Sequence, residues 1–448
     1  MKRHITISVI TVGLLSAVNV YGAEDLSSMF SEGKTSGQIR EFSISRTMDL
    51  SDATKDDYTR SANAIGGYLK YETGAYNGLS FGTAFYTTNG FLVGSPVTDY
   101  TKVDPTLLGK NNEGYSILGE AYIQYKNSNT TFKGGRQKLD TPLAGSDDAR
   151  MLPNLFEAYL LVNTDIKDTT LIAGQVTKFA QGTFGRAYTN GILSATGGYS
   201  AVDARNQVGD FVNMGDYAIG KTTDGVSVVS ATYTGIKNLK VQVWDYYAHD
   251  ILNAVYADAD FSWTCLLNDN VKPFVGAQFI QESEVGDKLI GSVNGTYMAA
   301  KAGFKVENFI ATLAYSDTSK NSATDAVTAN AIITPWGGMP AYTQGMVTRH
   351  QFLAGTKASK ASASYNWKKF GSDVNTELYY ANFDMADYNG YTFGNAIESG
   401  FDVTYKPEAV KNLSLRLRAN YADDFNVAKT TGYTTSWNEY RFIANYNF

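Results

Sequence analysis

Apolar and polar residues alternate with a period of two along most of this chain. Near the C-terminus Tyr440, Phe442, Ala444, Tyr446 and Phe448 share one face, while Glu439, Arg441, Asn445 and Asn447 share the other, with Ile443 as the exception. Upstream, Leu413, Leu415, Leu417, Ala419 and Tyr421 oppose Ser414, Arg416, Arg418 and Asn420. Val255, Ala257, Ala259, Phe261, Trp263 and Cys265 oppose Asp258, Asp260, Ser262 and Thr264. Side chains of a strand point alternately to its two faces, so such runs specify strands with one apolar and one polar side. Further segments cover 65–71, 79–86, 117–126, 130–138, 155–163, 169–178, 226–234, 239–247, 272–282, 296–306, 309–316, 352–360, 374–383 and 397–405. With a less regular one at 38–46 the chain is expected to hold about eighteen strands, an even number as in bacterial single-chain barrels.

The connections alternate too. Short turns at 73–78, 127–129, 165–168, 235–238, 267–270, 307–308 and 406–412 are interleaved with long segments at 88–115, 179–224 and 317–348. A soluble sheet also alternates when one face lies on a core, but short turns on one end and long loops on the other are a barrel signature. A repeat architecture would give equal connections. The eight prolines fall in presumptive loops or at a strand start, and no Pro/Ser-rich linker divides the chain. The expected architecture is all-β: a transmembrane antiparallel barrel, apolar side to lipid and polar side to water, formed by one domain over 23–448. Residues 1–22, with Lys2 and Arg3 ahead of an apolar run at 5–20 and small residues at Gly22 and Ala23, read as a signal peptide.

Composition removes several functions. The chain has 38 basic and 44 acidic side chains, net −6, and removing Lys2 and Arg3 makes it more acidic, so nucleic acid is not an expected partner. One cysteine, Cys265, permits no intramolecular disulfide. Beyond the leader only His249 and His350 remain. Neither lies in a recognisable nucleophile motif, so no catalysis, cofactor or metal site is expected.

The stretch 134–162 departs from regular alternation: a strand end, a polar loop with Pro142, Pro153 and the Asp147-Asp148 pair, then Phe156, Ala158, Leu160 and Val162 against Glu157, Tyr159, Leu161 and Asn163. This loop is expected to fold into the lumen and narrow it. The motifs Gly135-Arg136-Gln137, Thr141-Pro142, Asp147-Asp148-Ala149-Arg150-Met151, Pro153-Asn154 and Phe156-Glu157 resemble the OprD family of substrate-specific outer-membrane porins. Gly37-Gln38-Ile39-Arg40, Trp336-Gly337-Gly338-Met339-Pro340 and the terminal Phe448 fit the same family. The resemblance implies an eighteen-stranded barrel in a Gram-negative outer membrane, an eyelet made by the third long loop, and passive uptake of small solutes. Phe448 then resembles the signal read by the outer-membrane assembly machinery, and lipid and lipopolysaccharide are the expected surroundings. Monomer and trimer both stay open.

Candidate selectivity residues follow. Closure pairs the last strand with the first, so Arg416, Arg418, Arg441 and Arg40 become neighbours, and these positions match the family's arginine ladder by location. Arg136 and Lys138 could extend it. The alternative is that the arginines pair with Glu439, Asp402 and Glu398. Asp140, Asp147, Asp148 and Glu157 are expected to face this basic wall across the constriction, since rings of charge set pore selectivity. Two alternatives stand beside this: the Asp-Asp-Ala-Arg turn caps its own backbone, or the carboxylates hold Ca²⁺. Tyr122 and Tyr159 are candidate eyelet residues. The expected function is a channel for amino-acid-like or carboxylate solutes, with a non-selective porin or a structural or adhesin barrel as alternatives.

Overall fold

The computed structural model describes residues 23–91, 102–187, 209–392 and 394–448. The signal-peptide expectation therefore lies outside the described residues. A short capped helix, α1 (Leu26–Ser31), leads into the sheet. The strands are β1 (Lys34–Leu50), β2 (Tyr58–Glu72), β3 (Leu79–Gly90), β4 (Tyr115–Asn127), β5 (Thr130–Gln137), β6 (Leu155–Asn163), β7 (Thr169–Ala180), β8 (Val212–Asn213), β9 (Val226–Tyr233) and β10 (Leu239–Ala248). They continue with β11 (Leu252–Ser262), β12 (Val271–Ser283), β13 (Thr296–Val306), β14 (Phe309–Thr318), β15 (Lys357–Asn366), β16 (Val374–Asp384), β17 (Asn395–Tyr405), β18 (Leu413–Val427) and β19 (Thr434–Asn447). The two-residue β8 is an appendage of β7 beside the helix α2 (Met214–Ile219), and β7 pairs directly with β9. Eighteen antiparallel strands thus form the wall, and β1 pairs with both β2 and β19.

Closure has a physical cause. Hydrocarbon offers no hydrogen bonds, so each unpaired backbone group there costs several kcal/mol, and a sheet spans a membrane only without edges. The seam runs from Gln38↔Asn447 to Leu50↔Thr435, extended by reciprocal backbone bonds between Gly37 and Phe448 at 2.9 and 3.0 Å. Outward positions are apolar and uncovered: Leu313 is 67% exposed and Leu378 63%. These are the lipid-facing positions of such a barrel.

The interior departs from the expected water-in pattern. Phe156, Ala158, Leu160 and Val162 of β6 point inward and are buried against Leu139, Leu143 and Ala144 of the β5–β6 connection, in a cluster that includes Tyr217 of α2 and Trp336 of the β14–β15 connection. Phe42 and Ile44 of β1 are likewise inward and pack with Leu107, Met151 and Leu152. Loops that pack inside the barrel make part of the lumen a dry core, and burying such side chains stabilises by about 1.5–3 kcal/mol each. That inward burial is why 38–46 lacked a clean alternation. It also relocates one strand: the segment expected at 352–360 starts at Lys357, because Phe352 is a buried loop residue edge-on to Tyr297 at 5.0 Å.

Candidate functional site

The connection between β5 and β6 begins at Lys138, and each of its carboxylates takes a different partner. Asp140 caps its own loop, accepting from the Ser146 amide at 3.2 Å and from the Ser146 hydroxyl. Asp147 has a left-handed backbone, φ 38°, which turns its side chain away from that of Asp148. Asp147 pairs with Arg349 of the β14–β15 connection at 3.2 Å. Asp148 pairs with Arg40 of β1 at 2.6 Å, with Lys138 at 4.0 Å. Arg150, fully buried, meets Glu439 of β19 at 2.8 Å. A buried charge without a partner costs several kcal/mol, so this run of four residues is tied to three separate elements. Burial works against the charge of Asp148, yet Arg40 and then Lys138 prevail and hold its carboxyl below the usual range.

A backbone clasp joins the same loop to the β14–β15 connection: Ala144 bridges to Gly337, and the Gly145 amide donates to the Trp336 carbonyl at 3.1 Å. Gly337 is left-handed, φ 80°, and a Cβ there would sit 2.6 Å from the Gly145 carbonyl oxygen. Only glycine fits. Asn154 completes the anchor, donating to that carbonyl at 3.1 Å and accepting from the Gly182 amide at 2.8 Å.

The strand arginines converge across the seam as expected. Arg418 and Arg441 are register partners in β18 and β19, and Arg40 sits opposite Asn445 and bonds it at 2.8 Å. Arg416 and Arg418 share Asp402, at 2.8 and 2.9 Å from their Nε atoms. Arg441 reaches Glu439 at 2.6 Å and Asn420 at 2.8 Å. The two carboxylates Asp402 and Glu439 thus serve Arg416, Arg418, Arg441 and Arg150, which leaves the strip net positive. Within it, the Arg441 side chain is 1% exposed and that of Arg416 is 40%, so Arg416 is the member open to water. Among the described residues Glu398 pairs with no arginine; it accepts the amides of Met346, Val347 and Thr348 and the Tyr379 hydroxyl.

Three expected site residues, Arg136, Glu157 and the eyelet candidate Tyr159, stand outside the lumen. Arg136 and Glu157 are cross-strand partners on the face that carries Phe132 and Tyr159. That face is the outer one, with Tyr159 47% exposed. Glu157 there pairs with Lys178 at 3.2 Å, and the Arg136 guanidinium lies 4.4 Å from the Phe211 ring. Their placement follows from the inward turn of Phe156 and Ala158: adjacent residues must then face out. Tyr122 is inward and buried, its hydroxyl donating to Glu72. The expected gap between loop carboxylates and basic wall is also absent, since Asp148 touches Arg40 directly. Arg349 and Arg46, which pairs with Asp104 at 2.5 Å, carried no sequence signal because their partners lie in remote loops.

A family model described as outer membrane porin, OprD family, matches residues 29–448. The chain belongs to the OprD family. As an OprD porin it is a channel protein of the Gram-negative outer membrane, and its fold has solved relatives. It is similar to OccK9 (OpdG) of Pseudomonas aeruginosa, with a TM-score of 0.75 at 18% identity over 94% of this chain and 99% of that one. OpdK of the same organism, solved with vanillate, gives 0.72 at 14% over 94% and 99%. OccAB4 of Acinetobacter baumannii gives 0.69 at 15% over 93% and 98%. At these identities the likeness is one of fold. No curated protein matches the chain.

Proposed function

We propose that this porin passes small carboxylate-bearing or amino-acid-like solutes by passive diffusion, with no chemical step, and that the loop 138–154 narrows its passage. The observation that carries this reading is the basic strip of Arg416, Arg418, Arg441 and Arg40, positively charged in excess of Asp402 and Glu439, with Arg416 open to water. In a confined, low-dielectric passage such a strip concentrates anions and draws them along one side. Halfway round the barrel, β11 places Asp258 and Asp260 inward, Asp260 paired with Lys301 at 2.5 Å. A zwitterion is then oriented between the two sides, its carboxylate toward the arginines. The loop carboxylates serve instead to hold the loop in place. OpdK, alike in fold, was solved with vanillate, an aromatic carboxylate, which makes benzoate-like acids the first class to try.

The test is liposome swelling with Arg416→Ala combined with Arg418→Ala. Removing both guanidiniums takes away the two ion-pair partners of Asp402 and cancels the positive excess of the strip, so flux of benzoate and glutamate should fall about fivefold or more while neutral sugar flux is retained. Equal loss for both solute classes, or no loss for either, would reject the selective reading in favour of a general porin.

A further inference from the structure

On the short-turn side of the loop 138–154, a cavity of about 190 Å³ opens between the loop and β1, β2, β4 and β5. Most of its charges are already paired. Lys70 bridges Glu72 at 3.4 Å and Glu120 at 3.2 Å. Glu120 also accepts from the Tyr86 hydroxyl at 2.7 Å and Glu72 from that of Tyr122. Arg40, at the upper edge, is engaged by Asp148. Lys133 differs. Among the described residues its ammonium makes no hydrogen bond or ion pair; it stands 3.8 Å from the centroid of the Tyr122 ring. The face of an aromatic ring attracts a cation without neutralising it, and Tyr122 is itself held by Glu72. The cavity therefore presents one positioned cation with no direct hydrogen-bond or ion-pair partner among the described residues, beside carboxylates whose oxygens already accept from Lys70 and from tyrosine hydroxyls.

We propose that this cavity is a second carboxylate station on the periplasmic side of the loop, with Lys133 as its anchoring cation. The inference rests on the reading of the chain as a carboxylate-passing channel. Arg40 belongs both to the basic strip and to the cavity lining, so an anion leaving the strip meets Lys133 next. The cavity falls below the roughly 300–1,000 Å³ of drug-sized pockets, which restricts it to monomeric solutes. Because the oxygens of Glu72 and Glu120 are already engaged by Lys70 and the tyrosine hydroxyls, the donor left open to a solute is the Lys133 ammonium, which takes a carboxylate and offers nothing to an amine.

The experiment uses the full barrel in planar bilayers, with benzoate as probe and benzylamine as control, each added separately to the short-turn and the long-loop side. Lys133→Met keeps apolar contact with Tyr122 and removes the charge, whereas Lys133→Arg keeps it; heat-modifiable migration checks that both variants are folded. For Lys133→Met, the benzoate concentration that halves the current from the short-turn side should rise about fivefold, the effect of one partly screened ion pair. Block from the long-loop side, and block of Lys133→Arg from either side, should stay as in the parent. If Lys133→Met is blocked like the parent while the Arg416/Arg418 double variant loses its carboxylate preference, the station is wrong and the selective channel stands. If the parent does not distinguish benzoate from benzylamine from either side, both are wrong.

Discussion

His350 is a single buried residue of the β14–β15 connection whose surroundings favour the neutral ring. Its ring is enclosed by Phe383, Tyr391 and Phe425, with centroids 5.9, 5.3 and 5.0 Å away, and its Nε2–H donates to the Phe425 carbonyl at 2.7 Å. Burial pushes its pKa down from the ordinary 6.5 to about 4. The unfolded segment therefore binds more protons than the folded one between these values, so stability contributed by the neutral ring is complete above about pH 6.5 and is lost as the pH falls toward 4. The hydrogen-exchange protection of residues 345–355, taken relative to the intrinsic amide rate at each pH, should fall on acidification from pH 7 to 4.5, and His350→Gln, which can still donate to the carbonyl, should show a flatter response. A protection factor in the parent that does not change with pH would remove His350 as the cause. The sequence kept Asp402 open as an alternative partner for the strand arginines, a contact that adjacent strands make with Arg418. It missed Arg349 and Asp147, which sit far apart in the chain and meet only through two folded loops.

At the scale of elements, the loop 138–154 is stitched to β1, β19 and the β14–β15 connection by ion pairs, and to that connection by a backbone bridge. Its Asp-Asp-Ala-Arg run was legible as a special loop because so dense a set of charges has no place in a lipid-facing strand. What each charge grips was not legible. Shortening 139–152 should raise single-channel conductance and admit larger sugars, because it removes both the loop and the apolar cluster that seats it against Phe156 and Leu160. Unchanged conductance would mean that the passage runs elsewhere. The outward placement of Arg136 and Glu157 adds a contrast: neutralising that pair should leave anion preference intact.

For the whole molecule, the decisive contact is the seam between β1 and β19. A Cβ on Gly37 would lie 2.5 Å from the Phe448 ring and 2.7 Å from the Tyr68 carbonyl oxygen, whereas Gly90 has nothing within 4 Å. Gly37→Val should therefore reduce the fraction of barrel that migrates as a folded species without boiling, and Gly90→Ala should not. A closed sheet has no edge for detergent or another chain to attack, so the parent itself should shift on boiling. Equal folding of both variants would show that the seam tolerates a side chain at that position.

Period-two alternation, short turns set against long loops, and arginines on strands that closure makes neighbours were all properties of the sequence by itself. Each depends on backbone geometry that any strand obeys, namely side chains on alternate faces and hydrogen bonding between consecutive strands. Which face looks inward was decided by tertiary structure alone. Alternation tells which residues share a side, but the side that is buried depends on what packs against it. On β18 and β19 the lumen face meets charged groups, so polar residues point in, as the pattern implied. On β6 the lumen face meets Leu139 and Leu143 of a folded loop, so the apolar residues point in and Glu157 and Tyr159 point out.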